Sequence, residues 1–562
     1  MKLSGAEILL KMLESEGVDS IFGYPGGVLI GLYDEMAKSN IRHYLVRHEQ
    51  GAVHAADGYA RISGKVGVCL VTSGPGATNT VTGIASAYCD SIPMVVLTGQ
   101  VPTNLIGNDA FQEVDIVGIT RPCTKHNYLV KDVNELADTI REAFHIARSG
   151  RPGPVLIDLP KDVLAGTANF KQPKGPVTMR SYNPTVTPNT KQLTKVIKEL
   201  MKAKKPLIMA GGGIISSNAS QALTDFARKL QIPVTTTLMG LGAFPGSDDL
   251  SLGMIGMHGT YRANMSTGDC DVLLGVGVRF DDRVTGKTDT FASQAKIIHV
   301  DIDPTSIRKN VPVSIPVVGD CKATLDKLNE LLTGENLTEI PEKRAPWLKC
   351  IAEWKAAQRL AYEQTDVIKP QYVVERLCKI TEGKAIISTE VGQNQMWAAQ
   401  YYEFDQPNRF ITSGGLGVMG FGLPAAIGAQ VAAPNDLVVD VAGDGSIQMN
   451  IQELGTAMQH KLPVKVVILN NGYLGMVRQW QELFFGKRYC ATQMDVQPDF
   501  VKLAEAYGAT GLRATKPEEV DEVLKKGLAA EGPVIMDFVV EREECVYPMV
   551  PAGAPITEML LV

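Results

Sequence analysis

Residues 438–473 constrain the fold more than any other stretch, because they set strands, a turn and a helical segment in a fixed order. An apolar, β-branched run leads into Gly443-Asp444-Gly445-Ser446, helical spacing follows, and a second apolar run ends at Asn470-Asn471. This pattern predicts a parallel βαβ unit. Since both strands of such a unit end at the same edge of the sheet, we expect Asp444 and Asn471 to lie close together.

The chemistry of these residues suits a divalent cation together with a diphosphate. Asp444 and Asn471 carry the carboxylate and amide oxygens that Mg²⁺ binds, and the N–H groups at the start of a helix favour an anion. Gly-Asp-Gly alone is more often an ordinary turn. The Asn470-Asn471 pair at the end of the following strand makes a metal–diphosphate site the better interpretation.

Composition argues against several classes of protein. The 562 residues suffice for three or four domains, at roughly 150 residues each. The net charge is −6 and basic residues do not cluster with aromatic ones, so we do not expect nucleic acid as a partner. Residues 410–435 are uncharged but hold six glycines between Gly414 and Gly428, and Pro424 among them, which argues against a membrane helix.

Cysteine and histidine spacing, and the first residues of the chain, indicate the compartment. The nine cysteines form no CxxC motif and the eight histidines no HxxxH pair, so we expect reduced thiols and no zinc site. The first 17 residues read as an amphipathic helix with three acidic residues. We therefore expect neither a signal nor a transit peptide, and a cytoplasmic location.

The alternation of strands and helices predicts an α/β fold of three doubly wound parallel-sheet domains. A proline-rich polar stretch follows the first domain, and a charged helical run with two tryptophans follows the second. We expect an N-terminal domain at 1–165, a linker at 166–190, a central domain at 191–340, a linker at 341–368 and a C-terminal domain at 369–562.

An internal repeat relates the first and third domains. The run SGPGATNTVTGIASA from Ser73 matches AGDGSIQMNIQELGTA from Ala442, and AADGYA at Ala55 lies 370 residues before AAIGAQ at Ala425. Any two βαβ units share glycine turns and valine-rich strands, but several blocks at nearly constant spacing favour duplication. The N-terminal copy has Pro75 where the C-terminal copy has its aspartate, so only the C-terminal copy can bind a metal.

The central domain offers a second candidate site. Its strands are predicted to end at Gly213, Leu238, Arg279 and Asp301, and such strand ends meet at the edge where α/β sheets bind nucleotides. The Gly211-Gly212-Gly213 turn is not the dinucleotide fingerprint. Composition alone therefore leaves a nucleotide site and an empty scaffold equally open.

The order of the motifs identifies a family. RHEQGA, SGPGATN, GQVP, DAFQE, SGRPGPV, GMHGT, RFDDR, VDIDP, GLGVMGFGLPAAIGA, GDGS, LNN and GMVRQWQ resemble, over essentially the whole chain, the catalytic subunits of acetolactate synthases, which use thiamine diphosphate (ThDP). RFDDR with VDIDP is similar to their FAD-containing biosynthetic form. The resemblance implies an N-terminal pyrimidine-binding domain, a central FAD-binding Rossmann-like domain and a C-terminal domain for diphosphate and Mg²⁺. It also implies that ThDP lies between the N-terminal domain of one subunit and the C-terminal domain of another.

The resemblance assigns roles to catalytic residues. Glu49 would activate ThDP through a hydrogen bond to its aminopyrimidine ring, although a glutamate at a helix start is more often simply solvated. Met419 would fold ThDP into its bent shape, although a methionine here is otherwise a flexible core residue. Phe111 and Gln112 would face the reacting substrate.

The same resemblance supplies the ligands of ThDP and Mg²⁺. Asp444, Asn471 and the Tyr473 backbone carbonyl would bind the metal. Two positions depart from the family pattern: Asn394 replaces a common histidine, and Gly472 or Tyr473 stands where an acid is common. Asn394 is still expected to donate to phosphate. The remaining ThDP-binding residues would be Tyr24, Pro25, Gly26, Pro75, Asn79, Val391, Gly392, Gln393, Gly417, Gly443, Gly445, Ser446, Leu474, Gly475 and Met476.

The flavin and substrate sites also follow from the resemblance. Because acetolactate formation involves no net redox change, FAD would be structural or vestigial. Lys161, Arg283 and Trp480 would contact substrate, since an arginine fork binds carboxylate and an indole ring binds an apolar chain. FAD would bind Arg151, Gly211, Gly212, Gly213, Thr237, Leu238, Met257, His258, Gly277, Arg279, Asp281, Arg283, Asp301, Ile302, Asp320 and Cys321.

These implications add up to one function and two alternatives. The expected enzyme is a ThDP-dependent transferase that decarboxylates pyruvate and passes the hydroxyethyl unit to a second pyruvate or to 2-ketobutyrate, towards valine, leucine and isoleucine. A homodimer or homotetramer and a separate small regulatory subunit are the expected partners. The alternatives are an FAD-dependent enzyme resembling pyruvate oxidase, and a non-catalytic nucleotide-binding protein of the same fold.

Overall fold

The computed structural model describes residues 1–561, whose strands form three six-stranded parallel sheets and one small antiparallel pair. The first third of the chain contains β1 (Lys2–Ser4), α1 (Gly5–Ser15), β2 (Ser20–Tyr24), α2 (Ile30–Met36), β3 (Arg42–Leu45), α3 (Glu49–Ser63), β4 (Gly67–Val71), α4 (Pro75–Thr78), α5 (Val81–Asp90), β5 (Met94–Gln100), α6 (Ile116–Thr120), β6 (His126–Leu129), α7 (Leu136–Arg148), β7 (Pro154–Pro160), α8 (Lys161–Ala165) and β8 (Thr167–Asn169).

The middle of the chain forms the second sheet and its helices. It contains α9 (Thr190–Lys202), β9 (Pro206–Ala210), α10 (Gly212–Ser216), α11 (Ser220–Leu230), β10 (Val234–Thr236), β11 (Ser251–Met254), α12 (Tyr261–Asp269), β12 (Val272–Val276), α13 (Asp282–Thr285), β13 (Lys296–Asp301), β14 (Ile315–Val318), α14 (Cys321–Leu332) and α15 (Ile340–Ala357).

The last third forms the third sheet. It contains α16 (Pro370–Thr381), β15 (Ile386–Thr389), α17 (Gln393–Tyr401), β16 (Phe410–Ile411), α18 (Gly422–Ala432), β17 (Val438–Gly443), α19 (Asp444–Ile447), α20 (Leu454–Gln459), β18 (Lys465–Asn470), α21 (Gly475–Phe484), α22 (Phe500–Tyr507), β19 (Thr510–Ala514), α23 (Val520–Ala529) and β20 (Val534–Val539).

Strand order confirms the predicted α/β class with three doubly wound sheets. The first sheet runs β3-β2-β4-β5-β7-β6 and the third runs β16-β15-β17-β18-β20-β19, which is the same permutation of six consecutive strands. The second runs β11-β10-β9-β12-β13-β14, the order of dinucleotide-binding folds. The central strands are continuous apolar runs buried on both faces, as parallel sheets require.

Helices α3 and α18 join the first and third sheets through a reciprocal contact. A Cβ atom at Gly58 of α3 would collide with the carbonyl oxygen of Ala425 in α18, and one at Gly428 of α18 would collide with that of Ala55. Gly428 lies 370 positions after Gly58, and Ala425 lies 370 positions after Ala55, so each helix meets the other through the same two places. This reciprocity is what an internal two-fold relation between duplicated halves produces.

Two segments differ from the sequence-based expectation. The helix predicted after Asp444 is broken into α19 and α20. The backbone at Asn450 is not helical, with a φ of −136°, and the Asn450 side chain donates to the Gly420 carbonyl oxygen at 2.6 Å. The predicted linker at 166–190 begins with β8, which pairs antiparallel with β1. Among the helices of residues 1–561, none has both the length and the apolar character to cross a bilayer.

Candidate active site

Three helices begin around a small cavity at the carboxyl edge of the third sheet. The cavity has a volume of about 70 Å³, and its walls include Gln393, Asp444 and Gly475, the first residues of α17, α19 and α21. Converging helix starts direct unpaired N–H groups and the positive ends of helix dipoles at one place. None of the residues that line this cavity, all within the described chain, carries a positive charge.

Asp444 and Asn471 meet there because β17 and β18 are neighbouring parallel strands with Gly443 opposite Leu469. Burial raises the pKa of the Asp444 carboxyl to about 6, while contacts from Gln497 and the backbone of Asn471 and Gly472 lower it. The Asn471 Oδ1 atom accepts the Tyr473 N–H at 3.0 Å. A buried carboxylate beside an amide oxygen is a donor set that suits Mg²⁺.

Asn394 differs from the expected phosphate donor. Its Nδ2 atom donates to the carbonyl oxygens of Glu390, at 2.9 Å, and Val441, at 2.8 Å. Both amide hydrogens are therefore used within the protein, so donation from Asn394 to phosphate, which stays a prediction, requires this side chain to reorient. Asn394 still lines the small cavity, and its Oδ1 lies near Gly392 and Gly443.

A second cluster lies at the carboxyl edge of the first sheet. Glu49 is the first residue of α3, and its Oε2 atom accepts a hydrogen bond from Asn79 Nδ2 at 2.9 Å. Gly76 lies beside this carboxylate, since an added Cβ would stand 3.4 Å from Glu49 Oε1. Gly74 adopts a positive φ of 59° and abuts the backbone of Gln112, which brings the predicted Gln112 loop beside Pro75.

The central sheet borders a large cavity of about 1220 Å³. Every predicted FAD-binding residue except Gly211 lines it. Gly211 lies just behind the wall, where a Cβ would collide with the Gly277 carbonyl oxygen. Gly277 itself has a φ of +60°, which favours glycine, and its turn packs against Gly213 at the point where the strand order reverses.

Two residues that line this cavity have a buried polar atom without a hydrogen-bond partner. The Nε2 atom of His258 and the Oγ atom of Ser217 are buried without a hydrogen-bond partner. Burial lowers the pKa of His258 to about 4, so its imidazole is neutral at pH 7. Burial also raises the pKa of Asp301, at the end of β13, to about 6. These polar atoms, with the glycine turns, fit a dinucleotide such as FAD.

The two cavities share wall residues, so they lie next to each other. Val391, Gly392, Met419 and Met476 line both. The large cavity also reaches Gly417, Arg283 and Trp480, and the Trp480 ring packs edge-on against Phe484 with centroids 5.6 Å apart.

The N-terminal cluster stands apart from both cavities. Neither is lined by Glu49, Asn79, Pro75, Gln112 or the other predicted residues of the first sheet, namely Tyr24, Pro25, Gly26, Phe111 and Lys161. Phe111 is 87 % exposed and Tyr24 is 40 % exposed. Within one chain, the two predicted halves of the ThDP site are therefore separate surfaces.

Two residues that contact the predicted site, Gln497 and Glu453, were not predicted from the sequence. Gln497 donates to the Asp444 carboxylate, and the segment before it covers Tyr473 through backbone pairing with Gln493. Glu453 contacts the segment just before Glu49. No pattern in the sequence links Glu453 to Glu49, because about four hundred residues separate these partners.

Three protein-family models match successive parts of the chain. Models described as thiamine pyrophosphate enzyme N-terminal TPP binding domain, central domain and C-terminal TPP binding domain match residues 3–119, 193–328 and 390–538. These matches define a thiamine diphosphate-dependent enzyme.

Relatives that match almost the whole chain identify its family within this class of enzymes. The chain is 50% identical to the acetolactate synthase large subunit of Haemophilus influenzae and to the acetolactate synthase isozyme 3 large subunit of Escherichia coli, each over 100% of this chain and 98% of the relative. It is 48% identical to an acetolactate synthase of Mycobacterium bovis, over 99% of this chain and 91% of the relative. The chain belongs to the acetolactate synthase large subunit family.

Proposed function

We propose that this protein joins two 2-keto acids with loss of CO₂, as an acetolactate synthase. Pyruvate would be the donor. A second pyruvate would give 2-acetolactate, towards valine and leucine, and 2-ketobutyrate would give 2-aceto-2-hydroxybutyrate, towards isoleucine. The relatives that span the whole chain carry this activity in their names, which supports the proposal.

The large cavity has side chains suited to binding a 2-keto acid. Arg283, Trp480 and Met419 line the same cavity, and Met419 also lines the small cavity around Asp444. A guanidinium group binds a carboxylate in two hydrogen bonds, and an indole face adds apolar area for an alkyl chain. A 2-keto acid has both features, so an acceptor can be held beside the position where the cofactor reacts.

Asp444, Asn471 and the Tyr473 carbonyl would hold Mg²⁺, and the starts of α17, α19 and α21 would hold the diphosphate. When bound, ThDP supplies a nucleophilic carbon that accepts and releases a two-carbon unit. Met419, at the shared wall, would support the bend that brings the two rings of the cofactor together.

Glu49 would hold a proton at the pyrimidine ring. Its carboxylate has one side-chain partner, Asn79 at 2.9 Å, so an acceptor position remains for the ring. Asn79 would keep the carboxylate oriented, and Gln112 and Phe111, on the loop against Gly74, would approach the substrate from the same side.

FAD would occupy the large cavity in a structural role, since the proposed reaction transfers no net electrons. Arg151, Asp301, Asp320 and the glycine turns of the central sheet would hold it. The central domain would thus stiffen the wall that carries Arg283.

Assembly and location complete the proposal. The separation of Glu49 from Asp444 within one chain supports a homodimer, or a homotetramer built from dimers, in which each ThDP site uses two chains. A separate small subunit would be the regulatory partner. The nine cysteines, all in the described chain, are free thiols, which supports the reducing cytoplasm.

Product analysis tests this function. Purified protein with ThDP, Mg²⁺ and pyruvate should release CO₂ and acetolactate, and added 2-ketobutyrate should divert product to 2-aceto-2-hydroxybutyrate. Oxygen consumption with acetate or acetyl phosphate, and no acetolactate, would overturn the proposal in favour of a flavin-dependent oxidase.

A further inference from the structure

Residues 45–48 connect β3 to α3 and lie directly before Glu49. Their contacts come largely from the C-terminal third of the same chain. We name the four contributing side chains the 453–460 clasp: Glu453, Thr456, Gln459 and His460.

Glu453 makes the central contacts of the clasp. It is only 1 % exposed, and its Oε1 atom accepts the Arg47 N–H at 3.0 Å and the His48 N–H at 2.9 Å. Its Oε2 atom accepts the Thr456 hydroxyl at 2.7 Å. These N–H groups lie at the start of α3, where intrahelical partners are missing and negative charge is favourable.

The other members hold the preceding residues. His460 Nε2 accepts the Leu45 N–H at 3.1 Å, and the Thr456 hydroxyl lies 3.3 Å from the Leu45 carbonyl oxygen. Arg47 Nη2 donates to Gln459 Oε1 at 2.7 Å. The backbone that leads into Glu49 is thus bonded on several sides to another domain.

Glycine at position 51 makes the central contact possible. Gly51 lies on the first turn of α3, and a Cβ added there would lie 2.5 Å from Glu453 Oε1. Any side chain at this position would displace the carboxylate from the Arg47 and His48 N–H groups.

From these contacts we infer that Glu453 is a positioning residue for Glu49. By fixing the two residues before it, Glu453 sets the direction of the Glu49 carboxylate. It does so from the same stretch of chain that begins at Asp444, so the segment that binds the metal also orients the activating acid. The inference rests on the proposed function, in which Glu49 holds the proton at the cofactor.

Burying the Glu453 carboxylate costs desolvation free energy, so packing alone does not account for a glutamate at this position. Desolvation is the largest influence on Glu453 and raises its pKa to about 7. An apolar side chain of similar volume would avoid that cost but would leave two buried N–H groups without partners. The site therefore selects for a hydrogen-bond acceptor of this length.

The test compares Glu453→Ala, Glu453→Gln and Gly51→Ala with a matched control, Asp271→Ala. Asp271 also accepts two consecutive backbone N–H groups, from Lys204 at 2.6 Å and Lys205 at 3.0 Å, but in the central domain before β9. The primary readout is the rate at which the reactive carbon of bound ThDP exchanges its proton for deuterium, measured by NMR without any keto acid. ThDP affinity, kcat and KM for pyruvate are measured alongside.

We expect Glu453→Ala and Gly51→Ala to slow the exchange and kcat together by about 10- to 100-fold, the loss that small misplacement of a catalytic group produces. ThDP affinity and KM should stay within about threefold. Glu453→Gln should recover most of the rate, because its amide oxygen can accept both N–H groups. Asp271→Ala should leave the exchange rate unchanged even where it lowers the melting temperature.

Either of two results would overturn the inference: wild-type exchange in Gly51→Ala or Glu453→Ala at full ThDP occupancy, or equal slowing in Asp271→Ala. If Glu453→Ala does not fold, Gly51→Ala and Glu453→Gln still decide. Because exchange requires no keto acid, a failure of the proposed reaction is seen separately, as normal exchange without acetolactate.

Discussion

Single acidic residues in this protein have different tasks because their surroundings differ. Glu49 has one side-chain partner, Asn79, and lies beside Gly76. Glu390 is fully buried, accepts the Gly420 and Leu423 N–H groups at 2.6 and 3.2 Å, and has its pKa raised by burial to about 7. The first arrangement suits proton transfer, and the second anchors a loop.

Glu49→Gln should lower kcat by about 100-fold or more, because an amide cannot hold the proton that the carboxylate would. ThDP affinity should change little, since the diphosphate and metal are bound by other residues. Acetolactate formation and calorimetric titration with ThDP measure the two effects. Full turnover in the variant would remove Glu49 from the mechanism.

Asp158 should make stability depend on pH. Its carboxylate accepts hydrogen bonds from Thr98 at 2.7 Å and Gln100 at 2.9 Å, yet burial dominates and raises its pKa to about 7. A raised pKa means that its stabilising contribution is full below the unfolded value, about 4, and is lost as the pH rises through about 7. We therefore expect the melting temperature of Asp158→Asn to fall less than that of the wild type between about pH 5 and 8.

Thermal unfolding followed by fluorescence across this range gives the comparison. Asp521→Asn is the control, because the Arg376 side chain lowers the pKa of that carboxyl and removes its titration from the range. Parallel curves for Asp158→Asn and the wild type would contradict the prediction.

At the scale of elements, the spacing of apolar residues predicted the strands and turns that depend on local sequence. The strands β17 and β18, the turn at Gly443 and the approach of Asp444 to Asn471 follow from apolar runs and glycine alone. The break between α19 and α20 does not, because it depends on Asn450 reaching Gly420 in another segment. The Glu453 contacts and the amide orientation of Asn394 were likewise set by tertiary partners that no spacing reveals.

The packing of α3 on α18 should tolerate no side chain at its closest points. Gly58→Ala should destabilise the protein by about 1–3 kcal/mol, because the new methyl group would collide with the Ala425 carbonyl. Gly31→Ala in α2 is the matched control: an added Cβ there meets nothing within 4 Å, and alanine favours helix. Melting temperatures of the two variants should move in opposite directions or, for Gly31→Ala, not at all.

At the scale of the whole molecule, the chain consists of two related halves and a central domain between them in sequence. The repeat was visible in sequence, but its reciprocal packing was not. The Gly415 N–H donates to Asp90 at 2.7 Å, just as the Leu45 N–H donates to His460 at 3.1 Å. The two donors lie 370 positions apart in the sequence, and so do the two acceptors. Each half thus holds the segment that precedes the key helix of the other.

Subunit mixing should reveal sites shared between chains. Glu49→Gln and Asp444→Ala chains should each be nearly inactive. Random co-assembly into dimers should restore about a quarter of wild-type activity, because half of the dimers are mixed and each has one of two sites intact. Co-expression with two affinity tags and assay of the doubly tagged dimer measures this; no recovery there would mean that each site belongs to one chain.

Within residues 1–561, the walls of the small cavity are formed without any positively charged side chain. In the proposed function, a diphosphate held there would be balanced mainly by the metal and the three helix starts. We therefore expect the ThDP occupancy of the purified protein to depend steeply on the free Mg²⁺ concentration.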